Sequence, residues 1–275
     1  MSAAVPTVPH SGTLGAGLVV RAWARRYLPP AVVALAGIVL WELLTAGPGR
    51  RVIPAPSAIV VAAIQDYGLL GRSAQATFTE AFGGLVIGTV GGVAVAFASA
   101  RWVTARNVLL PVAIGSSAIP IIAVAPILNN WFGVLNPVSK MMMAALLVFF
   151  PVLINVTRGL VEVSPSALEL MRSYASNEVH VLRKVRVPNM LPFFFTALKV
   201  ATTLSFIGAL VGEYFGGTSE VLGRVVLQSM SSGSFPLAWA GILLGAMGAI
   251  VGYVAVSFIE RLAIPWHAAI RLDEA

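Results

Sequence analysis

Apolar residues along this chain come in long runs rather than in narrow stripes. The runs cover about 29–46, 82–100, 108–128, 140–158, 191–214 and 236–259, separated by segments rich in arginine, proline, glycine and asparagine. Each is close to the roughly 20 residues that a helix needs to cross a bilayer core. Helices are the expected form, because backbone groups left unpaired in hydrocarbon are costly and an open sheet has unpaired edges. The pattern predicts an all-α integral membrane protein with about six transmembrane helices. Between the first two runs, "RVIPAPSAIVVAAIQDYGLL" opens on prolines that cannot continue a helix. The apolar part that follows is short, which suits an interfacial position better than a span.

One polar stretch stands out against this background. "ELMRSYASNEVHVLRKVRVPNMLP", Glu169 to Pro192, gathers Arg172, Glu178, His180, Arg183, Lys184 and Arg186 between two apolar runs. The segment 164–189 reads as two short helices that divide at Tyr174–Asn177. Ser164 is placed to cap the first, with Pro165 at its first helical position. Asn177 is placed to cap the second, and Pro188 to close it. Such a pair at a membrane surface suits a docking element; an amphipathic helix lying on anionic lipid fits the same residues equally well.

Composition agrees with the run pattern and removes several classes of function. The 275 residues are 58% hydrophobic and 11% charged, with mean hydropathy +0.89, whereas a soluble domain carries about 25% charged residues. There is no cysteine, so disulfides and thiolate metal sites are excluded. His10, His180 and His267 have no ligand spacing, and no metal site is expected. Asp66 and Asp273 are the only aspartates. Neither a Ser/His/Asp grouping nor paired carboxylates emerge, so no catalytic residue is expected and the chain does not read as an enzyme. The formal charge of +7 reflects basic loops on one side of a membrane rather than a nucleic-acid partner.

The distribution of basic residues orients the chain. With both termini inside, the cytoplasmic face holds Arg21, Arg25, Arg26, Arg101, Arg106, Arg158, Arg172, Arg183, Lys184, Arg186, Arg261 and Arg271, against Arg50, Arg51, Arg72, Lys140 and Arg224 outside. Excess Lys and Arg mark the cytoplasmic side, so both termini and the charged stretch are expected there. Lys199 falls within the fifth run, near its cytoplasmic end, where its stem can snorkel. The first apolar core starts only at about Ala31, too late for a cleaved signal peptide.

The charged stretch also carries a resemblance. It is similar to the cytoplasmic signature of binding-protein-dependent ABC importer permeases: Glu-Ala-Ala, three residues, Gly, nine residues, Ile, one residue, Leu-Pro. Here it reads Glu169-Leu170-Met171, Arg172-Ser173-Tyr174, Ala175, nine residues, Val185, Arg186, Val187-Pro188. Leu170 and Met171 stand where the pattern has alanines, and Ala175 where it has glycine. "IPAPSAIVVAAI", "FGGLVIGTVGGVAVAFASA", "IPIIAVAPILNNWFG", "FFPVLINVTRGLVEVSP" and "ALKVATTLSFIGALVGEYFGG" resemble, in order, the nitrate/sulfonate/taurine group of these permeases, which includes importers of thiamine precursors and riboflavin. The resemblance implies a type I ABC importer permease fold with a cytoplasmic coupling helix. It divides the chain into an N-terminal cytoplasmic tail (1–28), a transmembrane permease domain (29–265) and a C-terminal cytoplasmic tail (266–275), in a bacterial-type inner membrane.

The same resemblance gives the charged insert a role. Glu169, Arg172, Tyr174, Ala175, Ser176, Asn177, Val185 and Pro188 are expected to couple the membrane helices to a cytoplasmic ATPase. The implied partners are two copies of that ATPase, a second permease subunit (a homodimer being favoured), an extracytoplasmic solute-binding protein and membrane lipid. The three lysines sit in no G-x-x-x-x-G-K-[ST] motif, so no cofactor is expected on this chain, and ATP and Mg belong to the partner.

Several residues within the runs are candidates for the solute path. Glu213 lies at the outer end of the fifth run, at a depth where an ionisable group must pair or face water. Pro120 and Pro126 fall within one run, followed by Asn129 and Asn130; prolines bend spans and free carbonyls where helices line a cavity. With Lys199 these residues give a sparsely charged path, which favours a small neutral pyrimidine- or flavin-like solute over sulfonate, taurine or nitrate. Glycines at four-residue spacing (Gly84, Gly88, Gly92; Gly208, Gly212, Gly216; Gly241, Gly245; Gly248, Gly252) are expected to pack helices within the chain rather than form a dimer seam. An ion-coupled secondary transporter is the alternative class, but it calls for more intramembrane acids and inverted repeats.

Overall fold

The computed structural model describes residues 16–47 and 52–265. Expectations placed on His10, Arg50, Arg51, His267, Arg271, Asp273 and the tail 266–275 lie outside these, as does most of the tail 1–28. The elements in chain order are α1 (Ala16–Thr45), α2 (Pro56–Gln65), α3 (Tyr67–Arg101), α4 (Val103–Ser116), α5 (Ile121–Phe132) and α6 (Pro137–Val161). They are followed by α7 (Pro165–Ser173), α8 (Glu178–Val181), a π turn (Leu182–Arg186), α9 (Val187–Phe215), α10 (Leu222–Ser231) and α11 (Phe235–Ala263). No strand occurs among the described residues. Five helical stretches are long and apolar enough to cross a membrane, and a bent pair supplies a sixth crossing if it counts as one span.

The core is a bundle of α3, α6 and α9, and glycine is what lets it close. A methyl group at Gly88 of α3 would lie 2.7 Å from Val148 Cβ of α6, and one at Gly208 of α9 would lie 2.9 Å from the Ala144 amide nitrogen. Both distances are too short for a real side chain. The four-residue spacing is therefore helix packing inside one chain, as the sequence suggests. α11 joins through Gly248, which faces Phe78 of α3 and Phe206 of α9; those two rings meet edge-on at 5.2 Å. By contrast α1 touches the rest through its last turns. Trp41 tilts against Trp239 at 5.8 Å, and Glu42 accepts from the Ser57 amide at 3.0 Å and hydroxyl at 2.6 Å. Glu42 thus holds α1 to the first turn of α2.

Three boundaries differ from the sequence expectation. The run 108–128 is not one straight helix: Leu110–Ser116 and Ile121–Phe132 meet at 94°. Pro120 causes the break, since it has no amide hydrogen and excludes the helical conformation for Ile119. The second span does not begin at 82. α3 runs 35 residues, about 52 Å at the helical rise, and takes in the "YGLL" assigned to the interfacial segment. Only Pro56–Gln65 remains as a separate short helix. Nor does Pro188 close the second insert helix. The chain stays helical from Glu178 to Phe215, because the π turn shifts the ladder so that the Val187 amide bonds the Leu182 carbonyl. Pro188 then falls in the first turn after that shift, where a missing donor costs least.

Candidate functional site

The charged insert sits across the C-terminal ends of α3 and α6. Ser164 caps α7, its hydroxyl accepting from the Ala167 amide at 3.3 Å, and Asn177 caps α8 through the His180 amide at 2.8 Å. Both are local bonds between residues three apart, which is why the sequence reveals them. Between the caps the chain reverses at Ala175, the one non-glycine residue with positive φ (49°) among those described. The Ser176 amide bonds the Met171 carbonyl at 3.1 Å and the Ala175 amide bonds the Arg172 carbonyl at 2.9 Å. That pair of bonds is a Schellman closure, whose left-handed position ordinarily holds glycine. Ala175 occupies it at the cost of about 1 kcal/mol.

Contacts to the bundle hold the insert in place. Arg101 of α3 pairs with Glu178 at 2.6 Å. The Asn189 side-chain amide donates to the carbonyls of Gly159 (2.8 Å) and Glu162 (3.1 Å) at the end of α6, and Arg186 reaches the Leu160 carbonyl at 3.4 Å. Beyond these ties the insert is bare. Glu169, Arg172, Ala175 and Asn177 are exposed, and so are three large apolar side chains: Leu170, Tyr174 and Val179. Ser176, Val185 and Pro188 are half-buried. Asn177, Val179, His180, Arg183 and Lys184 border an open hollow of about 410 Å³. It presents two permanent cations and no acid, beside apolar surface.

The opposite end of the bundle hides its charges instead. Lys140, at the start of α6, and Glu213, near the end of α9, are both fully buried, and Glu80 of α3 is almost so. Glu80 lies beside Glu213, and Lys140 is within electrostatic reach of both. The Lys140 ammonium also donates to the Val134 carbonyl and to the Asn136 carbonyl at 3.2 Å. Glu213 Oε2 accepts from the Gly223 amide at 2.6 Å. Thr77 Oγ1, buried beside it, accepts from the Leu222 amide at 3.0 Å.

With this geometry in place, comparison with known proteins assigns the chain. Residues 88–266 match the model of a family described as the binding-protein-dependent transport system inner membrane component. The chain belongs to that family. It is also 31% identical over 245 residues to a probable ABC transporter permease protein of Haemophilus influenzae, covering 88% of this chain and 95% of the relative. It is 30% identical to the formylaminopyrimidine transport permease protein of Halalkalibacterium halodurans, covering 87% and 96%. To the riboflavin transport system permease protein of Chloroflexus aurantiacus it is 29% identical, covering 90% and 92%. The chain is therefore an ABC importer permease subunit, a multi-pass membrane protein of the kind its sequence suggests.

Within this permease, the residues expected along a solute path do not come together on one open surface. Asn129 is buried and accepts from the Ser139 hydroxyl at 2.8 Å. Lys199 does not stand free; it pairs with Glu260 of α11 at 2.9 Å, with both side chains largely buried. Glu213 is fully buried in the packing. Pro120, at the bend, and Asn130 are exposed. Sequence reasoning missed Glu80, Lys140 and Thr77 as neighbours of Glu213. Glu80 precedes the expected start of the second span by two residues, and Lys140 counts there as an outer basic residue. A signal was present for Glu80 alone: it lies two residues before an apolar run that carries the stripe Gly84, Gly88 and Gly92.

Proposed function

We propose that this permease forms, as a homodimer with two copies of a separate ATPase, the membrane path of an importer fed by an extracytoplasmic binding protein. The insert is its cytoplasmic coupling element, and the observation that carries this reading is the exposed turn at Tyr174–Asn177. It is rigidly capped on both sides, tied to α3 and α6, and edged by Leu170, Tyr174, Val179 and the basic hollow. A partner can bury that apolar surface and push on a well-defined element. ATP and Mg are held by the partner, in keeping with a chain that lacks a phosphate-binding loop. The clustering of Arg101, Arg158, Arg172, Arg183, Lys184, Arg186 and Arg261 at the insert end supports a cytoplasmic placement of that end, and of both termini, in an inner membrane.

The solute we infer is small, neutral and heteroaromatic, a pyrimidine- or flavin-like vitamin precursor. The names of two relatives near 30% identity support this, as does the fate of the lysines in the spans. Lys140 is buried and Lys199 largely so, and both are engaged, leaving neither as a fixed cation for a sulfonate or nitrate. Uptake of radiolabelled riboflavin and of an aminopyrimidine by the reconstituted importer tests the reading. Competition by taurine or nitrate, with none by pyrimidines or riboflavin, would overturn the choice of solute. Transport by the permease alone without nucleotide would overturn the importer assembly. Replacing Ala175 with Trp, or Glu169 with Lys, is expected to leave insertion intact while separating ATP hydrolysis from uptake.

A further inference from the structure

The insert and the buried cluster lie at opposite ends of one helix. From Glu178 to Phe215 the chain is helical for 38 residues, about 57 Å at the ordinary rise, with the insert at its start and Glu213 two residues from its finish. What Glu213 touches is not packing alone. α10 has no side-chain cap of its own, since Val221 occupies the N-cap position. Its first two amides are taken instead by residues of other helices: Leu222 by Thr77 of α3 and Gly223 by Glu213 of α9. Gly223 has no room for a β carbon, which would lie 2.7 Å from Glu213 Cβ and 2.8 Å from the Leu210 carbonyl oxygen. On the other side of Glu213, Lys140 is bonded to the main chain at Val134 and Asn136, the connection between α5 and α6. Gly212 leaves space for the Lys140 stem, 3.1 Å from where a β carbon would stand.

Apolar residues of similar volume would hold these helices together at least as well, because burying ions is a poor route to stability. What charge-assisted bonds add is a defined geometry between the elements they join. We propose that Glu213 and Thr77 are positioning residues of the transport cycle. They make α10 follow the far end of α9 when the insert is displaced. This rests on the importer reading above and adds to it a fixed link at the end of the bundle remote from the ATPase.

ATP hydrolysis by the purified permease–ATPase complex in lipid nanodiscs tests it, measured alone and with saturating solute-binding protein. Glu213→Gln keeps an acceptor for Gly223 but removes the carboxylate; Thr77→Val removes the acceptor for Leu222 together with the hydroxyl that bonds Glu213. Both variants are expected to assemble and to keep basal hydrolysis within about twofold of the parent. Stimulation by the binding protein is expected to fall about tenfold, the scale of one lost charge-assisted bond, in Glu213→Gln and by a similar factor in Thr77→Val. Unchanged stimulation in both variants overturns the proposal. So does failure of both to assemble, which would assign the cluster to folding alone. A parent complex that hydrolyses ATP but never responds to the binding protein would sink the importer reading itself, a result distinct from either.

Discussion

The two ends of this bundle handle charge in opposite ways. At the insert end Arg172, Arg183, Lys184 and Glu169 stand in solvent, and the structure beneath them is closed by short-range caps. At the far end Glu80, Lys140 and Glu213 are buried together, and their partners come from α3, α6, α9 and α10. Exposed charges are cheap and leave a surface free to meet a partner. Buried charges are costly singly, so they appear where several helices must keep one arrangement. The contrast teaches that the polar residues most conspicuous in the sequence are not those that tie the bundle together.

The sharpest way to break the comparison is to remove one charge at each end. Lys140→Met removes the buried cation near Glu80 and Glu213 together with its bonds to the Val134 and Asn136 carbonyls, and is expected to destabilise by about 3–5 kcal/mol. Arg101→Met, which breaks the exposed pair with Glu178, should cost about 1 kcal/mol or less. Denaturation in detergent, monitored by the solvent exposure of a reporter dye, compares them directly. Equal losses would dissolve the distinction between the ends.

A second pair refines the idea within the spans. Lys199→Met is expected to cost about 3 kcal/mol by breaking its largely buried pair with Glu260. Adding Glu260→Gln should recover a large part of that loss if the pair carries the effect, and a double-mutant cycle in the same assay measures the coupling.

Smaller effects are expected where structure is local. Asn177→Ala should cost about 1 kcal/mol through the lost cap on α8, seen as faster amide exchange over 178–182 with α9 unaffected. The smallest change runs the other way. Ala175→Gly relieves the left-handed strain and should stabilise the insert by a few tenths to about 1 kcal/mol, visible as slower exchange at Ala175 and Ser176.

Much of this architecture was readable from residues alone. Apolar runs of span length, glycines every fourth residue, and the caps at Ser164 and Asn177 are signals carried by neighbours within a few positions. The departures lay where one signal had two outcomes. Pro120 sits in an apolar run and breaks it, whereas Pro188 sits at an apparent helix end and is passed over by a π turn. A proline marks a lost donor in both cases, but whether the chain bends or shifts its ladder depends on what the next turn packs against.

The far-end cluster shows the deeper division. Run length and periodicity sufficed for a multi-pass helical membrane protein with five or six crossings and for the place of the insert along the chain, because each is set by the chain's local exchange between lipid and water. Nothing local relates Thr77 and Glu80 to Lys140, Glu213 and Gly223. Their meeting follows from the close approach of α3, α6 and α9 across Gly84, Gly88, Gly208 and Gly212, which brings distant residues to one buried point. A charge near a span end can face water, lipid headgroups or another charge, and only the packed helices decide among the three.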